Sequence, residues 1–153
     1  HIAAARETQL PIVVHTRDAE DDTAAILREE MGKGAYPGVI HCFTASGAFA
    51  DIALELGFYI SISGIVTFKN ARDLQETAAR LPLDRLLIET DAPDQILPKE
   101  HQEYALNDPK GNPINHPANL GAVYRFMAGM LDEPFEKLEV RVEENFLRLF
   151  GVL

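Results

Sequence analysis

The sequence predicts an alternating β/α fold built on a parallel sheet, and three features carry this expectation. First, four short apolar runs, Ile12–Val14, Val39–Ile40, Phe58–Ile62 and Leu86–Ile88, are each introduced by a Pro or Gly (Pro11, Gly38, Gly57, Pro82). Continuous apolar runs this short suggest strands buried on both faces, as in a parallel sheet. Second, segments of helical character lie between them. Third, the strand ends recur: 26 residues separate His15 from His41 and 50 separate His41 from Asp91, with the YISISG strand, ending at Gly64, in the middle. A repeating βα unit of about 25 residues fits an alternating fold. Eight such units make a barrel of roughly 250 residues. This chain carries four, so it is a small open α/β domain or half of a barrel.

Each helix has its own local signal. Ala19–Met31 follows Asp18, a suitable N-cap, and its first turn is acidic (Glu20, Asp21, Asp22), which suits the positive end of the helix dipole. Ala48–Leu56 ends at Gly57, placed as a C′ residue. Asn70–Leu81 is stopped by Pro82. A polar loop rich in Pro, Asn, Asp and Gly follows the fourth strand from Pro93 to His116, and two helices, about Pro117–Leu131 and Pro134–Phe150, close the chain.

Composition narrows the function classes. The 153 residues are 46% hydrophobic and 25% charged, one domain's worth of ordinary globular chain rather than a rod or a disordered tail. No apolar run reaches the ~18 residues of a membrane helix, so no membrane partner is expected. The single cysteine, Cys42, excludes an internal disulfide framework and a Cys₄ zinc site, and a reducing cytoplasm is the expected compartment. The chain opens at His1, without Met and inside a helical segment, which leaves room for a targeting segment or more upstream. With 14 Lys+Arg against 24 Asp+Glu, the net charge is −10. A protein gripping duplex DNA through a broad basic face is not built this way. Nucleic acid would have to be met at a local site, with metal ions offsetting the repulsion.

The strand ends hold the chemistry. PIVVH ends in His15, GVIH in His41 and LLIETD in Asp91. In parallel β/α folds, ligand and catalytic groups gather at the carboxyl ends of the strands. Two imidazoles and a carboxylate there form a mixed N/O donor set for Zn²⁺, Mn²⁺ or a similar ion. Spacing alone leaves the plainer readings open: hydrogen-bonded structural histidines, and Asp91 as a turn cap before Ala92-Pro93. Glu89 shares a face with Asp91, where it would line a barrel interior and hydrogen-bond to the ligands. Cys42 should point away from the face of His41, as a small buried hydrophobe.

GVIHCFTAS, YISISG, LLIETDAP and the closing ENFLRLFG, in that order and preceded by PIVVHTRDAEDDT, resemble the TatD family of metal-dependent deoxyribonucleases. The resemblance covers nearly the whole chain and only the second half of the family domain. It implies that residues 1–153 are a partial domain, strands five to eight of a (β/α)₈ TIM-type barrel. It implies divalent metals (Zn, Mg or Mn), often as a pair, and hydrolysis of phosphodiester bonds, typically from the 3′ end of nucleic acid. By position, His15 and His41 become metal ligands. Asp91 becomes the catalytic carboxylate that binds metal and helps activate water. The family's other ligands, an H-x-H pair and a Glu, would lie upstream of His1.

The chain departs from the family pattern in places. Ala45 replaces the Gly of HCFTGS, and Ile114-Asn115-His116-Pro117 lacks the Arg of Arg-Asn-x-Pro. The loop from Asp94 to Ile114 is longer than usual. The loop histidines His101 and His116 are expected to be solvent-exposed and non-ligating. Arg17 would face a substrate phosphate or pair with the acidic turn after it. Related chemistry on esters, amides or acyl-tRNA, or a non-catalytic half-barrel with an incomplete metal shell, are the competing expectations. A lone half-barrel should cover its edges by self-association or with the missing N-terminal half.

Overall fold

The computed structural model describes residues 1–151. A short helix α1 (Ile2–Thr8) leads into four βα units: β1 (Ile12–Val14), α2 (Glu20–Gly32), β2 (Gly38–Ile40), α3 (Gly47–Glu55), β3 (Tyr59–Ile62), α4 (Arg72–Ala78) and β4 (Leu86–Ile88). The strands form one parallel sheet in the order β1-β2-β3-β4, registered by pairs such as Val13 with Val39 and Ile60 with Leu86. Sequential parallel strands joined by helices match the architecture of a TIM-type fold. No helix among the described residues is long and apolar enough to cross a membrane.

Burial follows the apolar runs, with one exception. Strands β2, β3 and β4 are buried along their whole length, as continuous runs require. On β1, Val13 is 57% exposed; this edge strand has one neighbour in the sheet. The core joins the sheet's outer face to the helices. Phe58, Ile60, Ile62, Val66 and Leu86 are fully buried, and Phe43 stacks on Phe49 at 6.3 Å. Gly38 is required by packing: a Cβ there would meet the Phe58 ring at 2.4 Å and Ile12 at 2.8 Å. The C-terminal helices α5 (Leu120–Leu131) and α6 (Phe135–Phe150) close over this side. Asn145 of α6, fully buried, donates from Nδ2 to the carbonyls of Leu83 (2.7 Å) and Leu86 (2.8 Å), tying the helix to the start of β4.

Three local expectations are corrected. Asp18 does not cap α2; Ala19 holds that position, and Asp18 is left-handed at φ 53°. The acidic turn finds another partner: Glu20 accepts hydrogen bonds from the backbone N–H and hydroxyl of Ser46, which itself caps α3. The helix predicted over 70–81 contracts to α4. The chain ahead of it makes a 3₁₀ turn (Gly64–Thr67), whose carbonyl at Val66 accepts from Gln75 Nε2 at 2.8 Å. The polar stretch 93–116 is not wholly loop. It folds an antiparallel hairpin of β5 (Ala105–Asn107) and β6 (Pro113–Asn115), closed by Asp108, whose carboxylate accepts from the N–H groups of Lys110 and Asn112. In the HCFTAS turn the left-handed residue is Cys42, at φ 46°, and Ala45 is not left-handed, so Ala in place of Gly brings no such strain.

Candidate metal centre

The residues after β1, β2 and β4 emerge on one rim because the strands are parallel and in register. The backbone ladder runs past the strand ends: His41 N–H donates to Val14 C=O at 2.9 Å, and Glu89 N–H to Ile62 C=O at 3.0 Å. His41 and Glu89 are thereby brought to adjacent levels although 48 positions separate them. His41 Nδ1 lies 2.8 Å from Glu89 Oε1, and His41 Nε2 lies 3.5 Å from Asp91 Oδ1. All three side chains are roughly a quarter exposed, deep in the rim but open to solvent.

One donor atom from each of His41, Glu89 and Asp91 lies within 4.8 Å of the others. His15 stands beside this group, exposed, with its ring centroid 5.8 Å from that of His41. The His41–Asp91 spacing fits a bound divalent ion: two donors each ~2.1 Å from a tetrahedral ion sit about 3.4 Å apart. The third donor that the structure brings to His41 and Asp91 is Glu89; His15, expected in that set, stands outside the cluster. Glu89 supplies a further sign. Its Oε2 accepts the Ser61 hydroxyl, while its buried Oε1 has no aligned hydrogen-bond donor among the described residues. The contact to His41 Nδ1 is therefore a close approach and not an aligned hydrogen bond.

Backbone strain marks the same rim. Asp91 is left-handed at φ 58° and Cys42 at φ 46°, conformations that cost a non-glycine residue about 1–2 kcal/mol each. For Cys42 this ends the strand alternation, so the expectation that it turns away from the site gives way. It is buried, as expected, and its Sγ lies 3.4 Å from Ser63 Oγ. Burial pushes its thiol up to about 11, and the charges of Asp91 and Glu89 add to this. Near neutral pH it is a thiol, not a thiolate.

Arg17 is exposed and makes no ion pair among the described residues, so it does not bridge to the acidic turn. His101 and His116 are half-buried rather than exposed. His101 packs edge-on against Phe126 at 5.4 Å. His116 stacks with Tyr104 at 5.4 Å and accepts from Ala118 N–H at 3.0 Å. Sequence reasoning missed Ser61, whose only signal is a hydroxyl inside a buried apolar strand.

The model of the family described as TatD related DNase matches residues 1–151. The chain belongs to this family. Within it, the chain is 45% identical to the uncharacterised metal-dependent hydrolase YcfH of Escherichia coli K12, over 99% of this chain and 53% of that protein. It is 34% identical to the 3′-5′ ssDNA/RNA exonuclease TatD of Klebsiella pneumoniae, over 99% of this chain and 55% of that one. The crystal structure of the TatD homolog YjjV from Escherichia coli K12 superposes with a TM-score of 0.81 at 29% identity, covering 99% of this chain and 54% of that chain. A TatD family hydrolase from Entamoeba histolytica shares the fold, with a TM-score of 0.82 at 20% identity over 97% of this chain and 54% of that one. The chain thus spans about half the length of the TatD relatives it matches.

Proposed function

We propose that residues 1–153 are the C-terminal half of a TatD-type (β/α)₈ barrel. The protein they belong to is a metal-dependent hydrolase that cleaves phosphodiester bonds of nucleic acid, trimming single-stranded 3′ ends. The observation that carries this is the row Glu89–His41–Asp91, with 2.8 Å and 3.5 Å between neighbours, at the carboxyl rim of the sheet. The exonuclease name of the 34% identical relative supports the substrate class.

His15, His41 and Asp91 would hold the ion, and nitrogen and carboxylate donors suit Zn²⁺, Mn²⁺ or Mg²⁺, the last through Asp91. When bound, such an ion acidifies water and offsets phosphate charge. The protein's own groups divide the rest of the work. The negative charge of Glu89 beside Nδ1 of His41 favours the tautomer protonated there, leaving Nε2 as a lone-pair donor toward Asp91. Ser61 holds the other Glu89 oxygen and so keeps that carboxylate turned to the ring. Asp91 accepts the proton of the attacking water. Arg17, exposed past His15, would meet a substrate phosphate.

The half-barrel assignment carries a consequence for the isolated chain. Strands β1 and β4 are sheet edges, and Val13 and Phe146 are 57% and 45% exposed at the inner face. Unpaired edges and bare apolar surface favour association. Residues 1–153 alone are expected to elute as a self-associated species, or to bind a separately supplied N-terminal half, and to lack normal nuclease turnover. A monomer as active as an intact relative overturns the half-barrel assignment.

The function itself is tested in the full protein with 5′-labelled single-stranded DNA. Expected is stepwise shortening from the 3′ end, lost with EDTA and restored by Mn²⁺. Intact DNA alongside metal-dependent cleavage of an ester, amide or acyl-tRNA would move the assignment to that chemistry, which the same donor set also serves. No bound metal would make this a non-catalytic scaffold.

A further inference from the structure

Asn115, at the end of β6, is 1% exposed, and its hydrogen bonds converge on one turn. Its Nδ2 donates to the carbonyls of Thr90 and Gln95, each at 3.1 Å, and its backbone N–H donates to the carbonyl of Pro93 at 2.8 Å. These three carbonyls span the six residues that carry Asp91. That turn holds two left-handed non-glycine residues, Asp91 at φ 58° and Gln95 at φ 59°, conformations that relax unless the surroundings enforce them. Its internal support is slight: the Ala92 N–H bonds to Thr90 Oγ1 at 3.2 Å.

The amide of Asn115 is itself oriented. Asn119, fully buried, donates from Nδ2 to Asn115 Oδ1 at 3.1 Å, which turns the Asn115 amino group toward the carbonyls. Asn119 also accepts the N–H groups of Glu103 (3.1 Å) and Tyr104 (2.9 Å) and donates to the Tyr104 carbonyl (2.9 Å), tying in the arm of the hairpin. We infer that Asn115 is a positioning residue for Asp91: by gripping the turn at Thr90, Pro93 and Gln95 it enforces the left-handed backbone that aims the Asp91 carboxylate at Nε2 of His41, with Asn119 fixing the amide. The inference rests on the proposed metal centre. The Asn115 amide is engaged by Thr90, Gln95 and Asn119, and it is not assigned as a ligand. It acts by removing the alternative turn conformations in which Asp91 faces solvent.

The structure supplies its own control. Asn145 is equally buried and also donates to two carbonyls, those of Leu83 and Leu86, but at the opposite end of β4. In the full protein, Mn²⁺ affinity by titration calorimetry, Tm, and kcat and KM on single-stranded DNA at saturating Mn²⁺ are compared for wild type, Asn115→Ala, Asn119→Ala and Asn145→Ala. Asn115→Ala and Asn145→Ala should both lower Tm. Asn115→Ala should weaken Mn²⁺ binding by about 10–100-fold and lower kcat with KM little changed, Asn119→Ala should weaken it in the same direction, and Asn145→Ala should leave it at the wild-type value. A Mn²⁺ affinity and kcat for Asn115→Ala that match those of Asn145→Ala overturn the inference. If Asn115→Ala does not fold, Asn119→Ala decides: weakened Mn²⁺ binding supports the inference and wild-type affinity refutes it. A wild type that binds Mn²⁺ yet leaves DNA intact removes the nuclease assignment, while the affinity comparison still decides for or against Asn115. A wild type that binds no Mn²⁺ refutes both.

Discussion

Asp91→Asn is expected to cut phosphodiester turnover by about 10²–10⁴-fold in the full protein, with the fold intact. The substitution is nearly isosteric. Asn tolerates the left-handed φ of 58° as readily as Asp, and the Asn115 grip on the turn uses backbone carbonyls, which the change leaves in place. What is lost is charge. The amide cannot take the proton of the attacking water, and it holds a divalent ion less well. Turnover is therefore measured with Mn²⁺ raised to saturation, so that weakened binding does not masquerade as lost chemistry, and Tm is measured alongside. Near-normal kcat under those conditions would place the base on another residue.

Glu89→Gln should act through His41 rather than on the substrate, with a 10–100-fold weaker Mn²⁺ affinity. Gln fits the same space. Its amide can accept on one side and donate on the other, because the Ser61 hydroxyl can rotate from donor to acceptor. The negative charge 2.8 Å from Nδ1 of His41 disappears, and with it the carboxylate that holds the ring with Nε2 turned toward Asp91. Much of the lost turnover should return as Mn²⁺ is raised, which separates this variant from Asp91→Asn. Metal titrations that superpose with wild type would show that Glu89 does not tune the ring.

The four strands and the helices between them were legible because their signals are local. Ile12–Val14 and Leu86–Ile88 are recovered residue for residue, and Gly57 ends α3 in the left-handed region, as a C′ glycine should. The hairpin within 93–116 was not legible. Its strands are three residues each, too short for a period of two to show, and its Asp108–Gly111 turn reads like any polar loop. Asp18 stands one residue before the N-cap Ala19, in the left-handed region, and the first turn of α2 meets a group distant in sequence, Ser46, through Glu20.

The same division runs through the site. Placing His15, His41 and Asp91 at strand ends needed only the apolar runs and the TatD-like motifs, since a parallel sheet delivers every strand end to one rim. The pairing of particular atoms across that rim is a different matter. Glu89 meets Nδ1 of His41, and Asp91 meets Nε2, through a register between chain segments about 50 residues apart. The partners of Ser61, Asn115 and Asn119 lie mostly far along the chain: Ser61 donates to Glu89, Asn115 to the carbonyls of Thr90 and Gln95, and Asn119 bonds to Glu103 and Tyr104. Strand and helix formation depends on near neighbours along the chain, so the sequence by itself determined the β/α order and the residue types at the rim. Side-chain direction at a left-handed turn, and satisfaction of a buried amide, depend on groups brought close only by folding. Those were decided by the tertiary structure.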